Sequence, residues 1–325
     1  MTLPGSWRPT LRDLLACPSD HSQLDYCGDA LVCAQGHRFE IEQGIPIFAK
    51  SPRVEAVPGN MAPCKPPAGD ATFIDPFVND WIVNTNGNLY WPVRGKLPRY
   101  PIPEWPFLPG QGQRLVDVGC GWGRWSASAA WAGYQPIGVD VHVDALVAAV
   151  RVSRQLEVQA DFVCGDVDRL PFHSKSIDVI FSYSVLQHLE RSTVLGFFTE
   201  ASRVLRLGGT CLIQLPNRFG AANIWKQMRR GFRDAKSGTF EMRYWSKAEI
   251  CRGFRDAGMA TPRIRTDGFL SQNARASDVD LLSPAGKLVV LASEAGRRAS
   301  EGLPFLTNVA DSLWIESRKE NAPGF

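Results

Sequence analysis

The sequence predicts an α/β protein built on a doubly wound parallel sheet and preceded by a small β-rich ribbon module. Three observations predict it. From residue 114 to residue 215, short apolar runs alternate regularly with alanine-rich or amphipathic segments, as strands joined by crossover helices do. The first run, Leu115, Val116 and Val118, breaks into glycines at alternate positions, Gly119, Gly121 and Gly123. Residues 11–50 stand apart, with short strand-like runs and Cys17, Cys33 and His37 at the spacing of paired turns.

Composition sets the outer bounds. The chain has 325 residues, 44% of them hydrophobic and 21% charged, enough for a buried core and too apolar for disorder to be the default. A net charge of +3 gives no strong vote for nucleic acid or membrane. The first twenty residues carry Arg8, Arg12 and Asp13 with no apolar core, and no run reaches the eighteen apolar residues of a membrane span. Neither a signal peptide nor a span is therefore expected. Eight scattered cysteines, among them Cys164 and Cys211 inside expected strands, indicate reduced thiols and a cytoplasmic setting.

Within the front module, L-L-A-C-P-S-D-H-S-Q-L is followed by L-V-C-A-Q-G-H-R-F-E-I-E-Q-G-I-P-I-F. This text resembles zinc-ribbon-like modules found at the front of some rRNA guanine methyltransferases and as small activators of partner methyltransferases. The resemblance implies zinc ligands at Cys17, Cys33 and His37. Asp20 stands where the second cysteine belongs, and His21 and Cys27 lack the usual spacing, so the ligand set is incomplete. The alternative is a ribbon without metal, cored by Phe39, Ile41, Ile45 and Ile47, which would have to lean on another domain.

Residues 51–75 read as a linker, with Pro52, Pro58, Pro63, Pro66 and Pro67 holding it semi-extended. Residues 76–109 carry Trp81, Tyr90, Trp91, Tyr100 and Trp105, too aromatic for a free linker and too broken for long helices. They either fold over a ligand or pack on the outside of the sheet.

The organising stretch is R-L-V-D-V-G-C-G-W-G-R-W, residues 114–125. Dinucleotide sites want G-x-G-x-x-G, but the register here is G-x-G-x-G, with Arg124 where the last glycine belongs. Asp117, two residues before the first glycine, suits a pyrophosphate poorly and suits a cofactor carrying an ammonium and a sulfonium. A helix follows over 124–132. The second strand, Pro136–Val139, ends at Asp140, whose carboxylate can take both ribose hydroxyls of an adenosine cofactor. Asp144 is expected to cap the next helix, running to Leu156, with His142 near the ribose or solvent. Strand three, Asp161–Cys164, leads into Gly165, Asp166 and L-P-F at 170–172. Strand four, Ile177–Ser182, leads into Y-S-V-L-Q-H-L. R-V-L-R-L-G-G then gives a helix end, a glycine turn and a fifth strand through Leu215.

These four ordered elements resemble the motifs of class I S-adenosylmethionine-dependent methyltransferases, of the type 11-like group. The resemblance implies a Rossmann-like seven-stranded sheet with one antiparallel strand. It also implies a cofactor site at Asp117, Gly119, Cys120, Gly121, Gly123, Asp140, Val141, Asp166, Val167, Ser182 and Tyr183. The methyltransferase domain spans 76–325, with its core at 113–215. An insert at 216–245 carries seven Arg or Lys against Asp234 and Glu241. It is either a lid for an anionic substrate, with Arg229 and Arg230 reaching it, or a solvated helix with Ile224, Trp225, Met228 and Phe232 packed inward. Residues 246–325 complete the sheet. S-K-A-E at 246–249 is a capping box, strands are expected near 263–266 and 312–317, and a helix over 285–300.

The methyl of a sulfonium is already activated, so alignment and exclusion of water matter most. His188, expected to begin the helix after strand four, is either the base or, with Gln187, a lining of the cofactor's methionine end. Tyr183 borders the same pocket. Three functions follow: methylation of O or N on a polar or anionic small molecule or glycan precursor; methylation of an rRNA or tRNA base; or a non-catalytic partner subunit.

Overall fold

A computed structural model describes residues 9–52, 72–270 and 272–320. Most of the proline-rich linker, including Pro58, Pro63, Pro66 and Pro67, lies outside the described residues. The main sheet has seven strands: β5 (Arg114–Val118), β6 (Gln135–Asp140), β7 (Asp161–Cys164), β8 (Ile177–Ser182), β9 (Leu205–Pro216), β10 (Arg263–Gly268) and β11 (Ser312–Arg318). Their order is β10-β11-β9-β8-β5-β6-β7. β5 is parallel to β6 and β8, and only β11 runs against its neighbours β9 and β10. The expected seven-stranded sheet with one antiparallel strand is present.

Both faces of the sheet are covered, which explains the unbroken apolar runs of β5, β7 and β8. On one face lie α3 (Arg124–Trp131), α4 (Val143–Gln155) and α8 (Pro284–Gly302). The other face carries α5 (Arg191–Val204), whose Phe197 and Phe198 pack with Ile180, Ile213 and Leu215, and α7 (Lys247–Asp256). The capping box of α7 forms as expected, with Ser246 and Glu249 closing on each other's backbone nitrogens. Two helix starts differ from expectation. Asp144 lies inside the first turn of α4, whose cap position is His142, and His188 ends a 3-10 turn, Leu186–His188, before α5 begins.

The front module is a four-stranded antiparallel sheet, β1 (Leu24–Cys27), β2 (Ala30–Cys33), β3 (Arg38–Glu42) and β4 (Ile45–Pro46). No helix joins β7 to β8, so the sheet beneath β6 and β7 needs another cover. The module supplies it. Leu11, Leu14, Leu15, Leu24, Leu31 and Phe48 share one core with Ile137, Val139, Val163 and Phe172. Backbone pairing fastens it: Ile47 bridges to Cys164, Leu15 bridges to Phe172, and the Phe48 amide donates to the Cys164 carbonyl at 2.7 Å. Of the four residues expected to form a private core, only Ile45 is fully buried; Phe39, Ile41 and Ile47 are half-buried. The module leans on the main domain, as a unit of this size must.

Of the two alternatives for the aromatic segment, packing on the sheet is the one observed. α2 (Pro76–Asn86) follows the Asp75 cap and brings Trp81 against His142, 6.1 Å between ring centroids, so this stretch does hold a regular helix. Farther on, Trp105 packs among Trp125, Tyr134 and Phe181 on the sheet face.

Candidate active site

The open end of the sheet is where β5, β6, β7 and β8 terminate, the place where ligands bind in open α/β folds. Gly119, Gly121 and Gly123 all have positive φ, so the turn out of β5 is a left-handed one that other residues resist. A Cβ on Gly119 would meet the Val185 side chain at 2.3 Å, whereas one on Gly121 would meet nothing within 4 Å. Gly119 is thus demanded by packing, and Gly121 faces open space.

Three carboxylates stand round this turn. Asp117 is only 2% exposed and is hydrogen-bonded by Ser126, whose Oγ donates at 2.7 Å and whose backbone adds to it. Burial pushes its pKa up to about 7, and the neighbouring Asp140 adds to the rise. A buried carboxylate with a single neutral partner calls for a cation. Asp140, at the tip of β6, accepts from the Gly121 amide at 2.9 Å and from the His142 amide at 2.9 Å. Asp166, after β7, accepts from Arg169 at 2.9 Å and from the backbone of Lys50 at 3.0 Å, so the front module touches this corner. Cys120 is buried against Gly138, Val141 sits beside Asp140, and Val167 packs on the core below Asp166. Ser182 is buried and donates to the Val118 carbonyl, tying β8 to β5.

Beyond β8 the chain bends at Ser184, a non-glycine residue with φ of 61°. Its hydroxyl accepts from Gln187 at 2.9 Å and from Asn273 at 3.0 Å, and its amide donates to Gln214. A strained residue fixed from three sides at the open end of a sheet is the kind of position that active sites retain. The Tyr183 hydroxyl lies 3.3 Å from both Asp267 and Arg275, and those two residues line a cavity of about 670 Å³ between β10 and α8.

His188 is half-buried. Its Nδ1 lies 3.0 Å from the Phe240 carbonyl, which can only accept, so Nδ1 carries the proton and Nε2 is the free base. Gln187 Nε2 donates to that nitrogen at 3.2 Å. Burial, with the charge of Arg243 adding to it, lowers the His188 pKa below its ordinary value. The Phe240 ring stacks on the imidazole at 4.0 Å. The arginine that holds this corner is Arg243, whose Nη1 donates to the His188 carbonyl at 3.1 Å and whose Nη2 reaches Glu190 at 2.6 Å. Arg229 is exposed on α6 (Ala221–Arg229), and Arg230 donates to the Met242 carbonyl. No hydrogen bond among the described residues joins either to Tyr183, Gln187 or His188.

Arg124, which displaces the dinucleotide glycine, has a role that no local pattern reveals. Buried, it pairs with the buried Asp278 at 2.6 Å and donates to the Pro101 carbonyl at 2.7 Å, while Tyr90 donates to the same carboxylate at 2.6 Å. One guanidinium thus ties three distant segments over the helix that follows the glycine turn.

In the front module Cys17, Cys33 and His37 come together, and Asp20 joins them. Neither His21 nor Cys27 is part of this cluster; Asp20, in the second knuckle position, is the fourth residue with a possible donor atom. Tetrahedral zinc, at about 2.3 Å from sulfur and about 2.0 Å from nitrogen or oxygen, would set its ligands about 3.3 Å (N and O) to about 3.8 Å (two sulfurs) apart. His37 Nδ1 lies 3.4 Å from Cys17 Sγ, 3.3 Å from Cys33 Sγ and 3.2 Å from Asp20 Oδ2, and Cys33 Sγ lies 3.5 Å from Asp20. The donors fit a four-coordinate ion.

Residues 115–209 match the family model described as a methyltransferase domain. The sheet order, the glycine turn and the three carboxylates agree with it. The core of this chain is a methyltransferase domain. Among curated proteins, a biotin biosynthesis bifunctional protein BioHC of Cellvibrio japonicus is 32% identical over 156 residues, covering 47% of this chain and 29% of that protein. A ubiquinone biosynthesis O-methyltransferase of Agrobacterium fabrum is 27% identical over 132 residues, covering 38% of this chain and 52% of its own length. The chain spans less than two thirds of either. A solved structure of an S-adenosylmethionine-dependent methyltransferase from Methanosarcina mazei aligns with a TM-score of 0.48 and 16% identity, over 66% of this chain and 98% of that one. The methyltransferase domain is thus flanked here by a ribbon module and an insert that lie outside the 115–209 match.

Proposed function

We propose that the protein transfers a methyl group from S-adenosylmethionine to an oxygen or nitrogen of a small polar acceptor. The observation that carries this is Asp117: buried, raised in pKa, short of a cationic partner, and next to a glycine turn with open space at Gly121. When bound, S-adenosylmethionine supplies a methyl already activated by its sulfonium. Asp117 answers the ammonium of its methionine end, Asp140 the ribose hydroxyls, and Asp166 the adenine amino group. Trp81 and His142 close the ribose side against water. On the acceptor side Ser184, Gln187 and Asn273 offer hydrogen-bonding groups, and His188 Nε2 is the atom that takes the acceptor's proton once Gln187 swings away.

Calorimetric titration with S-adenosylhomocysteine, with NAD as comparator, tests the cofactor assignment; binding of NAD alone would overturn it. Incubation with methyl-tritiated cofactor and a metabolite extract tests the acceptor class. Label in an extractable small molecule supports the proposal. Label in RNA would move the assignment to nucleic acid, and tight cofactor binding without any transfer would leave a partner subunit.

We also propose that the front module holds zinc through Cys17, Asp20, Cys33 and His37. The approach of His37 to within 3.2–3.4 Å of the other three donors, with all four inside 4.8 Å of one another, supports this. Metal content near one equivalent, lost in Cys33→Ser and retained in Cys27→Ser, is the expected result. Equal metal content in both variants would refute it.

A further inference from the structure

The insert is built inside out. On α6 the residues facing the protein are polar: Asn223 is buried, with its amide donating to the Asn217 and Asp311 carbonyls at 2.9 and 2.7 Å, and Gln227 donates to the Arg218 carbonyl. The apolar residues face out. Trp225 is 59% exposed and Phe232, just past the helix, 65%, with Ile224 and Met228 exposed between them. The inward packing expected for these four is therefore overturned, because polar side chains already satisfy the backbone groups beneath the helix. A solvated helix shows the opposite arrangement, and an apolar face this large marks a contact.

We propose that this face docks on the surface of an anionic lipid bilayer. Lys226, Arg229, Arg233 and Lys236 are interleaved with the exposed apolar side chains, and Asp234 and Glu241 are the acids of the whole insert. Tryptophan and phenylalanine beside lysine and arginine are the composition of interfacial helices, which bury a shallow apolar face while cations meet anionic headgroups. A second copy of the chain fits less well, since its own cations would be brought against these. RNA would answer the charge but leaves Ile224 and Met228 without a partner. Contact would be by this face, because no helix among the described residues is long and apolar enough to cross a membrane. The same insert reaches the acceptor corner at Phe240, 73% exposed and stacked on His188. On the reading of His188 given above, the insert that meets the bilayer also borders the acceptor corner, so a small polar acceptor held at the membrane surface can enter from that side.

The test is flotation of the full chain with phosphatidylglycerol vesicles and with phosphatidylcholine vesicles. Binding to the anionic vesicles alone is expected, falling about tenfold or more in Trp225→Ser/Phe232→Ser and in Arg233→Gln/Lys236→Gln. S-adenosylhomocysteine affinity should be unchanged in both variants, which separates docking from the cofactor site and confirms that they fold. Absence of vesicle binding, equal binding to both vesicle types, or binding unaffected by the substitutions would overturn the proposal. So would a concentration-dependent dimer that Trp225→Ser abolishes, or salt-sensitive RNA binding in place of vesicle binding.

Discussion

Asp117→Asn should strengthen the empty protein and weaken its hold on the cofactor. The side chain is almost wholly buried, has Ser126 as its hydrogen-bonding partner, and has a pKa pushed up to about 7 against an ordinary value near 4. A rise of about 3 units corresponds to about 4 kcal/mol against keeping the carboxylate ionised in the empty fold. The sign follows from linkage. The folded pKa is raised, so between pH 4 and pH 7 the folded state binds more protons than the unfolded one, and stability falls as pH rises across that window. Asparagine removes this dependence, and its amide can donate to the Ser126 oxygen. For the cofactor the effect reverses. Loss of a charge-assisted hydrogen bond to an ammonium costs about 1.5–3 kcal/mol, a weakening of about 10- to 150-fold. The assay pairs ligand-free thermal melting with calorimetric titration of S-adenosylhomocysteine from pH 6 to pH 8. The wild type should bind more weakly as pH drops below 7, while the variant stays flat. Unchanged affinity in Asp117→Asn, or a lower melting temperature of the ligand-free variant, would refute the reasoning.

Arg124→Ala leaves Asp278 buried without its cation and should cost about 3–5 kcal/mol in chemical denaturation; a loss under 1 kcal/mol would show that the pair is not holding the three segments. His188→Gln should lower kcat about 10²- to 10⁴-fold once an acceptor is in hand, with S-adenosylhomocysteine affinity unchanged. Because burial depresses the His188 pKa, the wild-type rate should hold as pH falls to the ordinary histidine value and decline only below it; a decline beginning near pH 8 would argue against this base. Chelation should lower the melting temperature, since the front module shares its core with β6 and β7, and zinc should restore it; an unchanged melting curve would separate the module's fold from any metal.

Local order determined much of this protein. Apolar runs, alternate glycines and acids at the strand tips are each a matter of neighbouring residues, and together they specified the parallel sheet and a glycine turn out of register with a dinucleotide one; the antiparallel strand followed only from the family resemblance those motifs carry. The capping box at Ser246 was legible for the same reason: its partners lie three residues apart. Tertiary structure decided whatever depends on which way a face turns or what lies across a long loop. Periodicity shows that α6 is amphipathic, but the direction of its apolar face was set by Asn223 and Gln227 finding carbonyls beneath them. Spacing discounted Asp20 because it is not a cysteine, yet folding brings its oxygen within 3.2 Å of His37. Arg124 reads in sequence as a missing glycine, and only the approach of Asp278, 154 residues away, makes it a tie across the site. The front module reads as a separate unit, and only the absence of a helix between β7 and β8 makes it a layer of the main core.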